Sequence, residues 1–188
     1  MNKSNRDKVM TAVHDLLEVI EGAPLRPQLL ETPRRVQRML GEILSGYSVD
    51  IPALFKTFDG EGEGQIVIAK NVRSWSLCEH HCLPFYATVS VGYLPKDRVI
   101  GASKLERLVH AYAHRLQLQE RLTRQIAQEL MDRLEPEGVG VIVQGEHLCM
   151  RMRGVKSEET TIITSVMLGE FREDPAMRAE FLQLIGKP

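Results

Sequence analysis

The chain has 188 residues, 43% hydrophobic and 26% charged, with a formal net charge of −1, a profile that fits one globular domain with a sizeable core. So neutral a balance excludes a broad attraction for nucleic acid or a membrane surface and still allows a local basic pocket for a small anion. No apolar run reaches membrane-spanning length, the polar start has no apolar signal core, and three cysteines do not make a disulfide framework, so the expectation is a cytoplasmic protein.

Residues 5–21 are predicted helical, with Val13, Leu16, Leu17 and Ile20 at helical spacing, and Gly22 and Pro24 stop that helix. Thr32 reads as the N-cap of a second helix with Pro33 at its first position. Val36, Met39, Leu40, Ile43 and Leu44 form its apolar face, and Gly46 ends it. Arg34 and Arg35 fall in the first turn, where cations oppose the helix dipole. A lone arginine usually sits on a solvated face; an anion contact is the sharper reading. Residues 47–64 read as a loop, with Gly60, Gly62 and Gly64 amid acids. Strand sequence then runs from Gln65 to about Leu77, and Cys78-Glu79-His80-His81-Cys82 follows it.

That cluster packs four metal-binding side chains into five residues. Thiolate and imidazole are the donors Zn²⁺ prefers. His147 and Cys149 lie far downstream, so the candidate ligands are Cys78, His80, His81, Cys82, His147 and Cys149. Three protein ligands and an open water position make a catalytic zinc site, and four make a closed structural one. Plain buried cysteine and histidine are the bland alternative.

Pro84 enforces a bend, Ala87 to Leu94 is a second strand, and Pro95-Lys96-Asp97 is a turn. Ser103 and Glu106 read as a capping box that starts a helix. Lys104 and Arg107 share one side of its first turn, where free N–H groups and two cations favour phosphate. An ordinary capped surface helix is the alternative. His110 and His114, four apart, have a metal-clamp spacing that nothing else supports. The next helix is amphipathic, with Leu118, Leu122, Ile126, Leu130 and Leu134 at every fourth residue and Gln119 and Glu120 in its first turn. Val139 to Val143 reads as a buried strand that delivers His147 and Cys149. Arg151 and Arg153 follow, then a polar loop, a β-branched strand from Thr160 to Leu168, and a final helix capped by Asp174-Pro175 with Met177, Phe181, Leu182 and Ile185 inward.

Taken together, the motifs resemble the GTP cyclohydrolase I family of the tunnelling-fold superfamily. The similar pieces are Cys78-Glu79-His80-His81, Gly92-Tyr93-Leu94-Pro95, Gly101-Ala102-Ser103-Lys104 and the run from Arg115 to Thr123. His147-Leu148-Cys149-Met150, Arg153-Gly154-Val155 and the stretch from Gly169 to Pro175 extend the likeness, which covers about residues 31 to 186.

The resemblance implies an α+β tunnelling fold: an antiparallel sheet with two long helices on one face plus N-terminal helices, assembled as a multi-subunit β-barrel. A helical region at 1–64 would precede a catalytic region at 65–188. The implied activity is zinc-dependent opening of the guanine imidazole ring of GTP at C8, with release of formate and recyclisation to 7,8-dihydroneopterin triphosphate, the first step of folate or tetrahydropterin synthesis. Cys78, His81 and Cys149 would bind Zn²⁺. His80 and His147 would transfer protons, and Ser103, at the ribose end, is counted with them. Glu120, with Gln119 nearby, would hold guanine; Lys104, Arg107, Arg153 and Arg35 would meet the triphosphate, and Glu79 belongs with the substrate-binding group. The implied partner is a second copy of the chain, in a homodecamer with shared sites, and no nucleic acid or membrane.

The chain departs from the family pattern at Cys82, Ala87, Ala102, Gln144 and Ile162, none of them an implied ligand or proton-transfer residue. Two further readings are a tunnelling-fold relative acting on another purine or pterin, as in deazapurine synthesis, and a non-catalytic, zinc-stapled GTP-binding regulator. Glu79, His80, Lys104 and Glu120 together favour the cyclohydrolase over the first. His147 beside the third implied ligand argues against the second.

Overall fold

The computed structural model describes residues 3–59 and 64–186. The predicted loop residues Gly60 and Gly62 lie outside the described residues. Chain contacts divide the molecule into two units, Met1–Ser45 and Gly46–Pro188. The first holds α1 (Lys3–Glu21) and α2 (Thr32–Ile43), which pack on each other.

The second unit is built on a five-stranded sheet of order β5-β2-β3-β6-β7. Its strands are β2 (Val67–Cys78), β3 (Pro84–Leu94), β5 (Leu116–Gln117), β6 (Gly138–His147) and β7 (Ile162–Gly169). All pairings are antiparallel except the short parallel contact of β5 with Leu77 and Cys78. A two-stranded ribbon, β1 (Thr57–Asp59) with β4 (Arg98–Ile100), stands apart from that sheet. The helices of this unit are α3 (Ala102–Ala113), α4 (Gln119–Leu134), the short α5 (Leu148–Arg151) and α6 (Glu170–Glu173), and α7 (Pro175–Ile185).

Alternation along the strands decides which face each helix covers. Phe85, Ala87, Val89, Val91 and Tyr93 of β3 and Val139, Val141 and Val143 of β6 point to one face and join the main core with α3 and α4. Leu122, Ile126 and Leu130 of α4 recur every four residues and are fully buried there; burial of each stabilises the fold by about 1.5–3 kcal/mol. The opposite face is covered at one end by α7, where Phe181 and Ile185 meet Leu94, Ile142 and Phe171. The two long helices therefore lie on one face as expected, and a terminal helix adds a cluster on the other.

Several boundaries differ from those read in the sequence. α2 begins at Thr32 itself with Glu31 as N-cap, so Thr32 caps nothing. α3 begins at Ala102 with Gly101 as N-cap and no side-chain cap, so the Ser103–Glu106 capping box does not form. The helix starts two residues earlier than the Ser103 hydroxyl would have set it, and Glu106 lies 3.5 Å from His110 instead. The segment read as a loop contains two 3-10 turns and β1, short elements whose pattern is too brief for a period. Leu182 of α7 is exposed, not inward. Asp174 does cap α7, accepting from the Ala176 N–H at 2.7 Å.

Candidate active site

The end of β2 and the end of β6 bring the cysteine and histidine motifs together. Cys78 is the last residue of β2 and is buried. The chain turns directly after it: the Cys82 N–H donates to the Cys78 carbonyl and the Cys78 N–H to that of Leu83, both at 2.9 Å. Across the sheet, Phe85 of β3 pairs with His147, the last residue of β6, and α5 then presents Cys149.

The thiol sulfurs of Cys78 and Cys149 and a ring nitrogen of His81 all lie within 4.8 Å of one another. Cys78 Sγ is 3.9 Å from His81 Nδ1. Tetrahedral zinc with its usual bond lengths would hold such a sulfur and nitrogen about 3.6 Å apart. Two soft thiolates and one imidazole are the donor chemistry for that ion, so these residues fit a metal. Burial and then the neighbouring Cys78 push the Cys149 thiol pKa up; a cation between the sulfurs would reverse that balance. His80 Nδ1 lies 4.0 Å from Cys78 Sγ yet falls outside the mutually close set. Cys82 is exposed with φ 51° and also falls outside it. His81 Nε2 accepts from Arg153 Nη1 at 2.9 Å.

Two anchors hold the turn in place. The Glu79 N–H donates to the Gln117 carbonyl of β5 at 3.1 Å. The Glu79 carboxylate takes a bidentate pair from Arg121 of α4, at 2.5 and 3.0 Å. The Arg121 hydrogen bonds hold the Glu79 carboxyl below its ordinary pKa. The pairing with Arg121 was invisible in the sequence, because 42 residues separate the partners and spacing reports only neighbours on one element.

His147 is half-buried; its ring stacks on Phe85 at 4.5 Å, 13° from parallel, and its Nε2 lies 2.8 Å from Gln119 Oε1. Burial pushes its pKa down, partly offset by the Glu120 charge. Glu120 is exposed and lines a recess of about 450 Å³ with Leu118, Arg121, Arg124, Thr164 and Ser165. Ser103, Lys104 and Arg107 occupy the first two turns of α3; among the described residues they make no hydrogen bond or ion pair with the cysteine–histidine group. Arg35 is exposed in the first turn of α2 in the N-terminal unit. His110 Nδ1 meets Ser74 Oγ at 2.9 Å, a packing contact between α3 and β2.

The chain is similar to known proteins over nearly its whole length. A family model described as GTP cyclohydrolase I matches residues 9–186. The GTP cyclohydrolase 1 of Thermoanaerobacter pseudethanolicus is 45% identical over 182 residues, 96% of this chain and 97% of that protein. The protein of the same name from Bacillus subtilis is 43% identical over 186 residues, 98% of each chain. That of Synechococcus sp. strain JA-2-3B'a(2-13) is 47% identical over 182 residues, 96% of this chain and 79% of the relative.

Proposed function

We propose, from the premise that this chain belongs to the GTP cyclohydrolase I family, that it hydrolyses the guanine imidazole ring of GTP at C8, releases formate and recyclises the remainder to 7,8-dihydroneopterin triphosphate. The observation that carries the reading is the convergence of Cys78, His81 and Cys149, with donor atoms within 4.8 Å of one another at the ends of two strands.

Those three residues would hold Zn²⁺. When bound, zinc supplies a hydrolytic nucleophile at neutral pH by lowering the pKa of water toward about 7. The chain's own groups do the rest. GTP's imidazole ring is aromatic and resists attack at C8 until N7 is protonated. His80 and His147 are the residues for that transfer, since an imidazole exchanges protons near neutral pH. Burial lowers the His147 pKa, which favours the neutral ring as a proton acceptor. Glu120 takes the guanine edge by accepting from the base N–H groups, and the recess beside it gives the base room. Glu79, fixed by Arg121, sets the loop that carries His80 and His81.

The triphosphate falls to Lys104, Arg107, Arg153 and Arg35, with Ser103 at the ribose end. Lys104 and Arg107 stand in the first two turns of α3, where unpaired N–H groups and the dipole favour an anion. Arg153 Nη1 lies 2.9 Å from His81 Nε2, which puts its cation beside the residues that would hold the metal and within reach of an anion bound there.

The assembly that fits is a homodecamer of joined sheets, in which Arg35 serves a neighbouring subunit's site. Two open edges support it. β5 pairs with β2 only at Leu77 and Cys78, and β7 has no outer partner among the described residues. Open edges of this length call for pairing or cover.

The test compares formate release from GTP, ITP and ATP. GTP should be strongly preferred, because ATP does not offer guanine's N–H edge for the Glu120 carboxylate to accept from, and Glu120→Ala should narrow the gap. Equal turnover of ATP by the unaltered protein would sink the assignment of guanine to Glu120, and no release from GTP would sink the function.

A further inference from the structure

The His147 ring is held from two sides, and its hydrogen-bonded side can be traced atom by atom. Gln119 is 2% exposed. Its Nε2 donates to the Val143 carbonyl at 3.0 Å and the Ile162 carbonyl at 2.8 Å. Backbone carbonyls only accept, so the amide nitrogen faces them and the amide oxygen faces His147. The hydroxyls agree. Thr123 Oγ1 donates to the Gln119 carbonyl at 2.8 Å. Thr164 is therefore the donor in its 2.6 Å bond to Thr123, which turns its lone pairs toward Gln119 Nε2 at 3.2 Å, a longer contact beside the two carbonyls that take the amide's two hydrogens. With every donor assigned in one direction, Gln119 Oε1 at 2.8 Å from His147 Nε2 requires a hydrogen on that nitrogen.

Gly145 lies beside this bond. A Cβ there would sit 2.0 Å from Gln119 Oε1 and 3.0 Å from His147 Nε2. Real side chains do not approach so closely, so any residue but glycine would push the amide away.

We propose that Gln119 is a positioning residue: its carbonyl fixes the neutral His147 ring as the tautomer with hydrogen on Nε2 and a lone pair on Nδ1, and Gly145 keeps space for that bond. The functional weight of this inference rests on the reading of His147 as a proton-transfer group; the geometry stands without it. The other tautomer would put N–H where the lone pair is needed and leave a buried carbonyl without a donor. Gln119 thereby parts from Glu120: its side-chain amide is committed inside the protein, while Glu120 faces the recess.

The experiment uses the zinc-loaded full chain labelled with ¹⁵N at the histidine ring nitrogens. Magic-angle-spinning spectra of sedimented protein read the tautomer, and the His147 signals are those missing from His147→Ala. The expected spectrum has a protonated Nε2 and an unprotonated Nδ1; a wild-type ring carrying its hydrogen on Nδ1 would overturn the proposal by itself. Gln119→Leu and Gly145→Ala should each shift the ring toward the other tautomer. Each should also lower kcat by about 10–100-fold, as partners that orient an active-site histidine do, with KM for GTP within about twofold and zinc content unchanged. The double variant should be no worse than either single, since all remove one bond. Unchanged His147 signals in both variants, or losses that multiply, would also overturn it. Should Gln119→Leu fail to fold, Gly145→Ala carries both readouts. Wild-type kcat in His147→Ala would remove the proton-transfer reading, while the spectra would still decide the tautomer.

Discussion

His80 and His81 are neighbours in sequence, and their Nδ1 atoms lie 4.0 and 3.9 Å from Cys78 Sγ. Only His81 is also within reach of Cys149, so we expect the two to differ in kind. Cys78→Ser, His81→Ala and Cys149→Ser should each lose the metal, measured by elemental analysis of the purified protein. Cys82→Ser, His80→Ala and His147→Ala should keep it, and the last two should lose turnover by about 10²–10⁴-fold, the range for general acid–base groups. Metal loss from His80→Ala equal to that from His81→Ala would contradict the ligand set. The sequence supplied six candidate donors but no way to choose among them by spacing, because a turn decides which of two adjacent rings points inward. The choice of His81 came from resemblance. The positive φ at Cys82, the Arg121 clamp and the Gln119–His147 bond have no local sequence signature and become visible only when β2, α4 and β6 are assembled.

At the scale of elements, α7 is seated by one ring on two glycines. Gly92 and Gly140 are cross-strand partners on β3 and β6, and a Cβ at either would come within 2.7 or 2.9 Å of the fully buried Phe181 ring. Phe181→Ala should destabilise the fold by about 3–5 kcal/mol, and Gly92→Ala by about 1–3 kcal/mol through overpacking, both read by denaturant unfolding. A Phe181→Ala loss under about 1 kcal/mol would mean that α7 is not held by this contact. A second expectation concerns His114, the C-cap of α3. Burial and the adjacent His110 lower its pKa. Its unfolded form therefore binds a proton at a pH where the folded form does not, so its contribution is present above about pH 6.5 and lost as pH falls through the folded value. Thermal melts from pH 8 to pH 5 should show a shallower acid decline for His114→Gln than for the unaltered protein; equal slopes would contradict the assignment. The long amphipathic helix and the buried β6 strand were legible because their periods are sustained over many residues. The caps at Thr32 and Ser103 and the short β1–β4 ribbon were misread or missed, since a shift of one or two residues removes a cap and three residues carry no period.

At the scale of the whole molecule, the proposed site draws on more than one chain. If Arg35 serves a neighbour's site, inactive Arg35→Ala and inactive His147→Ala subunits, co-expressed and isolated as mixed oligomers, should recover activity, because some sites then receive both unaltered residues. Mixed oligomers that stay inactive, although each variant folds and binds metal, would place Arg35 in its own subunit's site or in none. Sequence composition spoke only to what the chain does not attract, and the open edges of β2 and β7 emerged with the sheet order. The central claim, metal-dependent removal of C8 from GTP, is tested most directly with GTP carrying ¹³C at that atom. Carbon NMR should show the label leaving as formate, one for each GTP consumed, with none from protein stripped of metal until zinc is restored. Label retained in the nucleotide or pterin product, or stripped protein that works as well as the loaded form, would contradict it.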